Sequence, residues 1–175
     1  MSSTVAYSAT TSQIVQTYLD QAEQQKLQHD ITWQRLMYAN EKGQSDVAYS
    51  GYFLAPEGQT QLKQELQANI QALFQSAEAN QSVRCRFPAR SHWLMQQLHI
   101  QQQDLPTVFC PELDDWIGQI KPYKATLIYA TDFMGNPSSM FGHTLLRLDP
   151  KDQKQLNLVS YAVNYAATVT SGEGW

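Results

Sequence analysis

The apolar pattern of this chain changes its period once, at Pro122, and that change constrains the fold more than any other feature. Before it, apolar residues recur at helical spacing. Leu62, Leu66, Ile70, Leu73 and Phe74 form the stripe of a helix predicted over 58–79, with its Gln, Glu and Lys residues turned to water. Ile14, Val15, Tyr18, Leu19 and Ala22 mark one helix face within 11–28, and Trp33, Leu36, Met37 and Tyr38 mark a second helix ended by the turn formers "EKGQSD". "AYSGYFLAP" reads as a short extended segment stopped by Pro56. Pro88 and Pro111 each suit the first turn of a helix, where a missing N–H costs nothing. After Pro122 the period falls to near two. "KATLIYATDF", "FGHTLLRLDP" and "QLNLVSYAVNYAATV" predict consecutive strands over 124–131, 140–149 and 156–168. The expected class is α+β, helices followed by an antiparallel sheet of neighbouring strands: a tail over 1–12, disordered or extraneous, and one domain over 13–175. That domain is mainly helical over 13–122 and strand-rich over 123–175.

The chain has 175 residues, a length that suits one domain. A formal charge of -4, with no cluster of Lys and Arg, argues against a nucleic-acid partner. No apolar run approaches the roughly 18–20 residues needed to span a bilayer. "MSSTVAYSATTSQ" has no basic start and no apolar stretch, so it does not read as a signal peptide. Either the protein is cytoplasmic or a leader has been replaced by the starting Met. "TSGEGW" stops on a Trp in mid-turn and reads as a cut chain, with a docked terminus as the alternative.

Cys85 and Cys110 are the two cysteines. Three roles are open: a disulfide, two inert core thiols, or one nucleophile with a bystander. Bridged, they would close a loop worth about 3 kcal/mol in the chain-entropy model. Cys85 precedes the helix expected from Pro88, and a helix N-terminus lowers a thiol pKa, so it is a nucleophile candidate. Neither has a His or a second Cys at metal-ligand spacing, so no metal and no cofactor is expected.

His143 carries the most specific signal. In a strand over 141–148, Phe141, His143, Leu145 and Arg147 share one face, and Gly142 leaves its approach open. On the next strand Ser160, Ala162, Asn164 and Ala166 make a face of small residues with an amide at its middle. An Asn beside a His fixes the imidazole tautomer, the role of the third group in a nucleophile–base–orienter set. A lone strand histidine is more often structural than basic, and Asn often serves a turn. Ser138 and Ser139 sit in a Pro-containing loop and read as turn or capping residues. His29 lies at a helix end, and His92 and His99 lie on a helix beside Trp93 and Leu94.

Taken together, "CRFPARSHWL", "CPELDDW", "NPSSMFGHTLLRLD" and "SYAVNYAA" resemble the Lnb-type N-terminal periplasmic domain family (domain of unknown function 4105). "WQRLMYAN" and "GYFLAPEG" extend the resemblance over most of the chain from about residue 15. The resemblance implies a bacterial envelope protein with a papain-like core, permuted as in NlpC/P60-related thiol enzymes, and an activity of lipoprotein N-acylation. His143 matches the catalytic His of the family's "GHT", and Asn164 the polar position of the following strand. In that permuted order the nucleophile follows in an "NCS" motif, which is absent here. The resemblance therefore implies a truncated domain that holds the base, lacks the nucleophile and is inactive alone. An oxidising periplasm makes a Cys85–Cys110 disulfide the natural role of that pair.

Two function classes follow. In the first, a thiol acyltransferase or hydrolase acts on phospholipid or lipoprotein acyl groups, or as an amidase on cell-wall peptides. Membrane contact comes through segments outside the chain. In the second, a non-catalytic envelope module docks through Trp33, Trp93 and Trp116. A metallohydrolase has one credible His and no carboxylate cluster to support it. A sheet missing strands exposes an edge, through which chains self-associate.

Overall fold

The computed structural model describes residues 3–130, 143–150 and 161–164, with side chains described over 11–129 and 144–150. Helices α1 (Ser3–Gln24), α2 (Ile31–Leu36), α3 (Leu62–Leu73), α4 (Val83–Arg86), α5 (Pro88–Gln97) and α6 (Pro111–Ile120) precede strands β1 (Pro122–Ala130), β2 (His143–Pro150) and β3 (Tyr161–Asn164). This is the α+β class that the change of period predicts. Contacts divide the chain into two compact units, residues 1–111 and 112–175. Helix α1 begins at Ser3, inside the segment that composition suggested as a tail.

In the first unit, α3 packs against α1, α4 and α5, and α2 packs on α5. The core is built on Trp33, Met37, Leu66, Ile70, Leu73, Leu94 and Leu98. Trp33 and Trp93 stack with ring centroids 5.8 Å apart, and the Trp33 indole N–H donates to the Leu62 carbonyl at 3.3 Å. Both indoles are buried. This corrects the docking role suggested for Trp33 and Trp93; Trp116, in α6, is half exposed.

Local chemistry sets the helix ends. Asp30 caps α2 by accepting from the Thr32 N–H at 2.7 Å. Pro88 occupies the first turn of α5, as its missing donor permits. Helix α3 is shorter than the predicted 58–79 at both ends. Residues 77–79 are helix formers, but all are exposed, and Asn80 turns left-handed at φ 63°. Without an apolar face to bury, propensity alone does not extend the helix past Leu73.

In the second unit the sheet order is β1-β2-β3, antiparallel throughout. Ala130 faces His143, Ile128 faces Leu145, Thr126 faces Arg147, and Ala125 faces Leu148. Leu145 faces Asn164, and Leu148 faces Tyr161. The ladder is irregular between Pro122 and Lys124. Proline cannot donate, so it sits where a strand starts.

Candidate active site

His143 is the first residue of β2 and Asn164 the last of β3. Directly opposed residues in an antiparallel pair share a face, and residues two apart along a strand share it too. Asn164 opposes Leu145, so positions 143 and 164 lie on one face as diagonal neighbours. The side chains of both residues lie outside the described ones, as do Gly142 and the Ser138–Ser139 loop.

The same face continues into a charged pair. Asp149 is buried at 2% exposure, with the Arg147 Nε 2.9 Å from one carboxylate oxygen. The Thr126 hydroxyl donates to the other oxygen at 3.2 Å. Asp149 is thus a fixed buried anion with a cation and a hydroxyl on it, which is how a buried carboxylate avoids its desolvation cost. The opposite face differs in character: Leu127 and Tyr129 on β1 are exposed at 72% and 64%.

Cys85 and Cys110 form a disulfide, with Cα atoms 5.3 Å apart. Neither is a free thiol, which removes Cys85 as a nucleophile. Cys85 lies within the short helix α4, ahead of α5, which starts at Pro88 as expected. Other contacts fasten the same segment to α4 and its approach. The Asn80 N–H donates to the Phe109 carbonyl at 3.0 Å, and the Arg84 guanidinium donates to the Pro106 carbonyl. Burial lowers the Arg84 pKa.

The sequence reading missed a second polar cluster, in the first unit. Glu65 is fully buried. One of its oxygens accepts from the Leu54 and Ala55 N–H groups, each at 2.8 Å. The other accepts from Asn69 Nδ2 at 2.7 Å and faces Arg90 Nη1 at 3.3 Å. The Arg90 guanidinium lies between the Tyr52 and Phe87 rings, 3.9 and 4.2 Å from their centroids, and donates to the Tyr52 carbonyl at 2.8 Å. This cluster orders residues 52–55, which form no strand. The expected extended segment is instead a 3-10 turn over Ser50–Tyr52, because remote side chains take up the backbone groups that follow it. The signal was present: Glu65 and Asn69 fall among Leu62, Leu66, Ile70 and Leu73 on the apolar stripe, and polar residues there need partners rather than water.

Among the described residues no group of three or more His, Cys, Asp or Glu is placed to hold a metal ion. No helix among them is long and apolar enough to cross a membrane.

Family comparison separates the two units. Residues 112–174 match the Lnb N-terminal periplasmic domain. Its first matched residue is also the first of the second compact unit. Residues 25–97, in the first unit, match a different family, domain of unknown function 7843. "WQRLMYAN", "GYFLAPEG" and "CRFPARSHWL" therefore fall in that match, whereas "NPSSMFGHTLLRLD" and "SYAVNYAA" fall in the Lnb domain. The Lnb match is to a periplasmic domain and supports an envelope location. No curated protein and no solved structure matches it.

Proposed function

We infer that the Lnb domain of this chain supplies the base of a papain-like thiol acyltransferase or hydrolase of the cell envelope. The observation that carries this reading is the β2–β3 register, with positions 143 and 164 as diagonal neighbours on one sheet face. In this reading His143 takes the proton of a cysteine thiol, and Asn164 holds the imidazole in the tautomer that accepts it. The thiolate attacks an acyl carbonyl, a thioester forms, and His143 returns the proton to the departing alcohol or amine. An amine or water then takes the acyl group and restores the thiol. The acyl donor is a phospholipid or lipoprotein, or the carbonyl of a cell-wall peptide.

The disulfide bears on the source of the thiol in this reading. The chain has two cysteines and both are bridged, so the nucleophile is a cysteine outside these 175 residues. The test is thioester trapping in the native-length protein. After reaction with a phospholipid donor, mass spectrometry should find an acyl group, labile to hydroxylamine, on a cysteine other than Cys85 and Cys110. Acylation of Cys85 or Cys110, or of no cysteine, would reject the reading. An alternative, a non-catalytic envelope binding module, is favoured by the exposed Leu127 and Tyr129 on the face away from position 143. It predicts no acyl-enzyme under any condition.

A further inference from the structure

The C-terminal end of α5 carries an inference that does not depend on the chemistry at His143. Helix α5 ends at Gln97, and the chain turns back there through two backbone bonds. The Ile100 N–H donates to the Met95 carbonyl at 2.9 Å, and the His99 N–H donates to the Gln96 carbonyl at 3.3 Å. This is a Schellman closure, which needs a left-handed residue just past the helix, and His99 takes that conformation at φ 55°. Glycine or asparagine usually fills the place, because a side chain is strained there. A histidine at positive φ is uncommon, and backbone strain of this kind gathers at ligand sites.

The closure returns His99 to the last turn of α5. His92 and His99 are both exposed, and they line one cavity of about 580 Å³ with Met95, Gln96, Gln101 and Gln102. Steps of three and four residues separate His92, Met95 and His99, the spacing of neighbours on one helix face. Seven residues rise about 10 Å along a helix, within the combined reach of two imidazole side chains around a shared ion. The negative end of the α5 dipole lies at the same place and favours a cation. Buried Ile100 anchors the turn in the core, so the site rests on a fixed element.

We propose that His92 and His99 hold a copper ion in this cavity, with the Met95 thioether as a third donor. Imidazole suits copper, zinc and nickel alike, and copper leads the order of divalent affinities. A thioether is a soft donor that selects Cu⁺. No carboxylate lines the cavity among the described residues, which disfavours the hard cations Ca²⁺ and Mg²⁺. The cysteines take no part, since both are bridged.

The experiment is titration of the whole oxidised chain with Cu²⁺, followed by calorimetry and by quenching of tryptophan fluorescence. One Cu²⁺ should bind per chain, more tightly than Zn²⁺. Even the loss of an outer-shell partner weakens metal sites by about 10–100-fold, so His92→Gln should weaken binding by at least about tenfold. His99→Gly should do the same while its thermal midpoint holds or rises, because glycine relieves the left-handed backbone. His29→Gln, at the end of the 3-10 turn over Leu27–His29, should leave the affinity unchanged. For Cu⁺, held in ascorbate against a competing chelator, Met95→Leu should lower the affinity by about tenfold. No saturable Cu²⁺ binding overturns the proposal. So does unchanged affinity in the double His92→Gln, His99→Gly variant, or a loss in His29→Gln equal to that in His92→Gln. Unchanged Cu⁺ affinity in Met95→Leu removes the thioether, and with it the assignment to copper.

Discussion

Replacing Glu65 by alanine removes the acceptor on which four groups converge: the Leu54 and Ala55 N–H groups, Asn69 Nδ2 and the Arg90 guanidinium. Arg90 is 3% exposed and cannot turn to water without moving out from between the Tyr52 and Phe87 rings. Breaking a buried pair by deleting one partner costs about 3–5 kcal/mol, because the remaining charge is stranded. The stranded N–H groups add to this, since each buried unsatisfied donor costs about 1–3 kcal/mol before relaxation. The ring stacking on Arg90 and residual bonding to the Tyr52 carbonyl limit the loss, and a total of about 4 kcal/mol is expected. Urea denaturation of the oxidised chain measures it. Fluorescence of the buried Trp33–Trp93 pair follows the first unit, and far-UV circular dichroism follows its helices. With a slope of about 2 kcal/mol per molar urea, the midpoint should fall by about 2 M. Glu65→Leu combined with Arg90→Met should cost less than Glu65→Leu alone, because no stranded charge remains. A shift below about 0.5 M for Glu65→Ala would refute the claim that this carboxylate organises residues 52–55.

Gly58 sits against the same cluster. A Cβ there would meet Glu65 Oε2, the Phe53 Cβ at 2.9 Å and the Ala55 carbonyl at 3.0 Å, so Gly58→Ala should cost about 1–3 kcal/mol in the same titration. Reducing Cys85–Cys110, or replacing both residues with Ser, should lower stability by about 3 kcal/mol for a separation of 25 residues, read as a thermal or urea midpoint shift. Asp30→Ala should cost about 1 kcal/mol by uncapping α2, with no change in the far-UV spectrum of the folded state.

The two proline-initiated helices and the three strands were legible because each rests on a local rule: a missing donor in a first turn, or alternation with period two. Their antiparallel neighbour pairing was legible too, but the register of β2 on β3 was not, since it depends on which residues oppose across the ladder. Residues 50–55 were illegible for a related reason. Their backbone groups bond to Glu65 and Arg90, side chains that are distant in sequence. Glu65 itself read as a solvated residue because a carboxylate on a helix usually is one. Trp33 and Trp93 were open to two readings, packed helix faces or docking, because large aromatic rings suit cores and interfaces alike; their mutual stacking buries them and decides for packing. The boundary between the units has no linker composition to mark it; it falls at the start of a helix, directly after a disulfide-bonded cysteine. His143 and Asn164 were legible as strand positions, and the register adds that the two positions share a face.

The central claim, that His143 is a catalytic base, is tested most directly by kcat/KM for acyl transfer in the native-length protein. His143→Ala should lower it by about 10²–10⁴-fold, the usual contribution of a positioned base, with the folded spectrum preserved. Cys85→Ser with Cys110→Ser should leave kcat/KM near the wild-type value below the unfolding temperature. Full activity in His143→Ala, or its loss in the double serine variant while the protein is still folded, would contradict the account.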